Sequence, residues 1–73
     1  MAHKVLLTYF KPGGKYYSDG EMTAPIGTPL YEIFQEVGHM KAAGQLPGIN
    51  GKDWHVLIRV PDHPHDHPHL LPA

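Results

Sequence analysis

Four histidines, His63, His65, His67 and His69, alternate with Pro64, Asp66 and Pro68 near the end of the chain. Imidazole is a good ligand for zinc, nickel and copper. In an extended chain, alternate side chains project to one side about 6.5–7 Å apart. The spacing therefore puts all four rings along one side of an arm. Three roles suit such an arm: a zinc or nickel site built from His63, His65, His67 and His69, an ordered arm packed on its own or a neighbouring subunit, and a solvated proline-rich tail. Adjacent alternating imidazoles diverge, and a zinc site usually draws its ligands from separate elements. His55, or the tract of a second copy, would be the completing donor. Pro64 and Pro68 offer no N–H, so the tract also suits an edge strand that pairs on one side only.

A second constellation is cationic and aromatic. Lys11 and Lys15 flank Pro12-Gly13-Gly14, and Tyr16 and Tyr17 follow. Open backbone N–H groups beside two lysines can hold a phosphate, and aromatic rings can stack on a base. Arg59 is the only arginine, and guanidinium suits bidentate contact with phosphate or carboxylate. Lys11, Lys15, Tyr16, His55, Arg59, His63 and His65 together compose a candidate site for an anionic, nucleotide-like ligand. Against it stand a solvated turn whose lysines keep an edge soluble and an Arg59 paired with Glu21 or Asp53.

The rest of the composition narrows the class. Seventy-three residues allow one small domain with a marginal core. A formal charge of −1 argues against a general nucleic-acid binder. No cysteine is present, so disulfides and thiolate ligands are excluded and a cytoplasmic setting fits. The apolar runs are too short for a membrane span or a secretory signal. There is no Walker-type loop and no dinucleotide fingerprint. Ser18 has no partnered base, and flexible His-Pro repeats do not hold proton-transfer geometry. The chain therefore reads as no enzyme, with no required cofactor.

The elements that must position these residues follow in order. Val5 to Phe10 reads as a central strand, apolar on both faces. Pro12 and Gly13 predict a turn, with Gly supplying a positive φ. A return strand runs from Lys15 to about Thr23, with a bulge at Gly20. Thr28 as N-cap and Pro29 at the first helical position start a helix. Its stripe is Leu30, Ile33, Phe34, Val37 and Met40, and Gly44 ends it. Gly38 weakens the helix, for which close packing is the first reason and a local bend the second. Leu46-Pro47-Gly48-Ile49 is an apolar plug in a loop. Trp54 to Val60 is the third strand, with Trp54, Val56, Ile58 and Val60 on its core face. His3 and His39 fall on the surface, and Tyr31 on a half-buried flank.

The expected fold is α+β, ββαβ: a three-stranded sheet packed on one helix, with a possible fourth edge strand from the C-terminal tract. Residues 1–60 form the single ββαβ domain and residues 61–73 the His/Pro-rich C-terminal arm. The element order resembles the first half of a β-grasp domain. One helix covers one sheet face, which leaves Leu6, Phe10, Tyr16 or Tyr17, and Leu57 on a bare face. Such a face marks an interface, and self-association would supply missing core to so small a chain.

One further resemblance rests on three stretches. They are Lys4-Val5-Leu6-Leu7 with Phe10-Lys11-Pro12-Gly13-Gly14-Lys15-Tyr16, then Gly44-Gln45-Leu46-Pro47-Gly48, then Val60-Pro61-Asp62-His63-Pro64-His65-Asp66-His67-Pro68-His69-Leu70. In these the chain resembles small uncharacterised accessory proteins of bacterial viruses, particularly those of actinobacterial hosts. The resemblance implies a protein that acts by binding in the cytoplasm of a host bacterium. Some such proteins block a host protein, and others sequester a nucleotide signal of host defence. The leading expectation is a homo-oligomer that sequesters an anionic nucleotide-like ligand. The alternatives are metal binding by the tract and inhibition of a host protein through the bare sheet face.

Overall fold

A computed structural model describes residues 1–11, 13 and 17–72, with only the backbone of Tyr17. The elements are β1 (Ala2–Phe10), β2 (Tyr17–Pro25), α1 (Leu30–Ala42), β3 (His55–Arg59) and β4 (His69–Leu71). The architecture is α+β, one helix on a four-stranded sheet of order β2-β1-β3-β4. Every pairing is antiparallel. Since β1 opposes both neighbours, β2 and β3 run the same way, and α1 lies in the crossover that joins them. The open sheet is consistent with a small β-grasp-like fold.

Strand parity builds the core. His3, Val5, Leu7 and Tyr9 of β1 are buried while Lys4 and Leu6 between them are exposed. Val56 and Ile58 of β3 lie opposite Tyr9 and Leu7. Leu30, Ile33, Phe34 and Val37 of α1 close this face, and Trp54, Val60 and Leu46 seal its margins. The loop plug holds as expected, with Leu46 buried and Ile49 packed against the core.

Four local expectations change. Thr28 is not the helix cap; Pro29 occupies that position, and the Thr28 hydroxyl donates to the Pro25 carbonyl at 2.6 Å. No bulge marks Gly20, because β1 and β2 pair in continuous register from Ala2↔Pro25 to Phe10↔Tyr17. Gly20 is small because the Tyr9 hydroxyl and the Pro47 carbonyl pass across it, where a Cβ would collide with both. Gly38 does not serve close packing, since a Cβ there meets nothing within 4 Å. Tyr31 is exposed, not half-buried. The helix end is as expected. Gly44 takes φ +70°, its N–H bonds the Lys41 carbonyl and the Gln45 N–H bonds the Met40 carbonyl, which is a Schellman motif.

The hairpin turn lies partly outside the described residues. Gly13 has the positive φ expected of it, +98°. Pro12, Gly14, Lys15 and Tyr16, and with them the expected start of the return strand, lie outside the description.

Candidate functional site

The histidine tract is ordered, and it is not an extended arm. The His63 N–H bonds the Val60 carbonyl and the Asp66 N–H bonds the His63 carbonyl. Two four-residue turns therefore follow one another, 60–63 and 63–66, each with proline in second position. Proline presets φ for that position. Among the described residues no non-glycine residue has a positive φ, so neither turn is type II. The chain then straightens, and His69–Leu71 pairs with β3. The boundary expected at residue 60 is thus bridged by the sheet itself.

Asp66 holds this double turn to the strand. One oxygen, Oδ2, accepts from Arg59 Nε at 3.1 Å and Nη2 at 2.7 Å. The other, Oδ1, accepts from the Val60 N–H at 2.8 Å. Hydrogen bonding from Arg59 holds the Asp66 carboxyl below the usual carboxylate range; its partial burial opposes this, and the Val60 N–H supports it. The same contact raises Arg59. The expected partners of Arg59 were Glu21 and Asp53; Glu21 instead meets Lys4 at 3.2 Å. A carboxylate seven residues along a turn-rich segment reaches Arg59 first.

The imidazoles go to different partners. The His65 N–H donates to His63 Nδ1 at 3.1 Å, so that nitrogen is bare. His63 Nε2 carries the hydrogen and donates to the Thr28 carbonyl at 3.2 Å. His67 Nδ1 lies 3.1 Å from the His65 carbonyl, which can only accept. The His67 ring also meets the edge of Phe34, and His69 stacks on Phe34 with centroids 4.3 Å apart. The four rings of the tract thus do not share one side as the alternation predicts. Among the described residues no three His, Cys, Asp or Glu side chains are arranged to hold a metal ion.

His3 is the residue that sequence reasoning misplaced. It is 6% exposed, on the core face of β1. Its ring lies 5.0 Å from that of His63, and its Nδ1 lies 3.4 Å from Asp62 Oδ1. That nitrogen makes no hydrogen bond among the described residues. Extending the parity of Val5, Leu7 and Tyr9 back two positions would have found it.

The residues expected to share an anionic ligand are dispersed. Lys11 sits over the Trp54 ring, 4.5 Å from its centroid, near the helix side. His55 stacks on Phe10 on the opposite, open face. Arg59 is on the open face, held by Asp66. His63 reaches Thr28 before the helix, and His65 lies 5.9 Å from His63 between ring centroids. Lys15 and Tyr16 lie outside the described residues.

The open face has its own character. Leu6, Thr8 and Phe10 of β1, Leu57 of β3 and Leu70 of β4 share it by register. Apart from Asp66, which reaches Arg59, the tract packs on the helix side, and its end adds Leu70 to this face. Leu6 is 37% exposed and Leu70 50%. Beside Leu6 a shallow depression of about 490 Å3 is lined by Leu6, Leu7, Thr8, Asp19, Gly20 and Glu21. Its two carboxylates are unfavourable to an anion. Among the described residues no helix is long and apolar enough to cross a membrane.

Comparison of the chain with models of known protein families, with curated proteins and with solved structures returned no match.

Proposed function

We propose that this chain is a non-enzymatic binding protein that works as a homodimer through the open face of its sheet. The observation that carries the reading is the exposure of Leu6 and Leu70 beside Phe10 and Leu57 on the face away from the helix. A contiguous apolar patch of this kind is the mark of a contact surface. A small chain also gains most from burying it.

Charge placement supports a second copy as the occupant. On this face β2 contributes Asp19 and Glu21, the latter paired with Lys4 of β1, and β3 contributes His55 and Arg59, the latter paired with Asp66. A two-fold axis parallel to the strands lays β2 of one copy over β3 of the other. Glu21 of one copy then faces Arg59 of the other on both sides of the axis, Leu6 lies near the axis, and Leu70 reaches the margin beyond the partner's β2. Such an isologous contact is the commonest form of dimer. The resemblance to small bacteriophage accessory proteins supports binding over catalysis and a place in the cytoplasm of a host bacterium. The dispersal of Arg59, His55, Lys11 and His63 favours a protein contact over capture of a nucleotide-like ligand.

Sedimentation velocity of the untagged protein and of the double variant Leu6→Lys, Leu70→Lys tests this. The expected result is a wild-type dimer and a folded, monomeric variant. A wild-type monomer at millimolar concentration overturns the dimer and makes a different protein the partner of this face.

A further inference from the structure

The two edges of the sheet are β2 and β4, and strand parity decides which backbone groups each turns outward. In an antiparallel pair, alternate residues bond one neighbour and the residues between them face the other way. The Ile26 N–H bonds the Met1 carbonyl. Carried along the register, this makes His3 with Ala24, Val5 with Met22, Leu7 with Gly20 and Tyr9 with Ser18 the bonded pairs. The N–H and C=O groups of Asp19, Glu21 and Thr23 therefore point away from the sheet. The same count carried across β1 and β3 turns Leu70 outward from β4.

The two edges are guarded differently. The outward positions on either side of Leu70 are Pro68 and Pro72, which have no N–H to offer. With only three residues besides, the β4 edge is closed to another strand. β2 has nine residues. At one end Gly48 crowds the Asp19 carbonyl, where an added Cβ would stand 3.1 Å away. At the other end the Pro25 carbonyl accepts from the Thr28 N–H and hydroxyl. Between them the outward N–H and C=O groups of Glu21 and Thr23 have no hydrogen bond among the described residues.

Charge decides what can pair there. Residues 17–25 carry Asp19 and Glu21 and no lysine or arginine. Both acids are exposed and share one face by parity. Lys4 of β1 meets Glu21 at 3.2 Å, and Asp19 has no ion pair among the described residues. A second β2 laid along this edge would bring two more acids onto that face, and like charges across strands are destabilising. A strand with lysine or arginine at alternate positions gains cross-strand pairs instead.

We propose that the free edge of β2 takes up an extended, basic segment of another protein as a fifth strand, centred on Glu21 to Thr23. Its backbone exchanges hydrogen bonds with Glu21 and Thr23, and every second side chain sets a cation beside Asp19 and Glu21. Strand addition of this kind draws affinity from main-chain bonds and specificity from alternate side chains. The edge lies at the side of the sheet, so it stays free whether or not a second copy covers the open face.

The test is an amide NMR titration of the full chain with three short synthetic peptides: alternating lysine and valine, alternating glutamate and valine, and lysine–valine with its lysine backbone nitrogens methylated. The lysine–valine peptide should shift the Glu21 and Thr23 amides and slow their exchange with solvent. The other two should bind about tenfold or more weakly, as expected for lost main-chain bonds or repelled charges. Thr23→Pro removes an outward donor and no bond to β1, a change an edge strand tolerates, and should lose the same binding while staying folded. The methylated peptide gives the same reading on the unaltered protein. No shift up to millimolar lysine–valine peptide, equal affinity for either control peptide, or shifts confined to Leu6, Leu57 and Leu70 would each overturn the proposal.

Discussion

The two faces of this sheet share the same strands and differ in what their side chains do. On the helix side His3, Val5, Leu7, Tyr9, Val56 and Ile58 are buried, and their polar atoms sit close to specific partners. On the open side the charges pair within the chain, Lys4 with Glu21 and Arg59 with Asp66, while Leu6 and Leu70 stay exposed. Folding accounts for the first face, because burial there removes apolar area from water and excludes it from the core. It does not account for the second. Leu70 is the clearest sign: the chain spends a whole turn-rich segment on the helix side, then pairs three residues with β3 and leaves a leucine on the open side. A solvent face without a partner would favour a polar residue at that position.

The largest way to break the comparison is at Gly20. A side chain there meets the Tyr9 ring and the Pro47 carbonyl, so Gly20→Val should cost about 3 kcal/mol by overpacking. Thermal unfolding should fall by on the order of 15 °C. A change of a degree or two would mean that the loop over β2 gives way freely.

Tyr9 probes the same contact more gently. Its hydroxyl donates to the Pro47 carbonyl at 2.7 Å, so Tyr9→Phe should cost about 1–2 kcal/mol in denaturant unfolding. The pH dependence sharpens the point. Burial pushes the Tyr9 phenol up from 10.0 to about 12. The neutral phenol is the form the fold favours, so its contribution is fully present below pH 10.0. It is lost as pH rises towards about 12, by on the order of 2 kcal/mol. Tyr9→Phe should flatten that alkaline slope. An unchanged slope would place the alkaline sensitivity on another group.

Gly38 gives the smallest effect on stability, and with the opposite sign. It lies in α1 with open space beside it. Gly38→Ala should therefore stabilise the protein by up to ~1 kcal/mol through helix propensity. A loss would show that this face of the helix is occupied by something else, a second copy included.

Much of the fold was legible because apolar period dictated it. The stripe Leu30, Ile33, Phe34, Val37 and the alternation Trp54, Val56, Ile58, Val60 each admit one burial pattern, and both are buried as read. The candidate site was less legible, for two physical reasons. The alternation of the tract suggested an extended arm, but Pro61 and Pro64 each stand second in a four-residue turn, and turn chemistry outweighed the period. Charge alone pairs Arg59 with Glu21 or Asp53, whereas the two turns bring Asp66 to it. Sequence alone puts His3 on the surface, outside a strand that begins at Val5. Only the pairing of Ala2 with Pro25 extends β1 far enough to bury it.

The central claim is that the open face is a contact surface for a second copy. A dilution series of backbone amide NMR spectra, from millimolar to micromolar protein, tests it most directly. The predicted result is concentration-dependent shifts at Leu6, Thr8, Leu57 and Leu70, with residues of the exposed helix side such as Tyr31 and Gln35 unmoved. Shifts gathered around Ile26 and Tyr31, or none anywhere in the series, would contradict it.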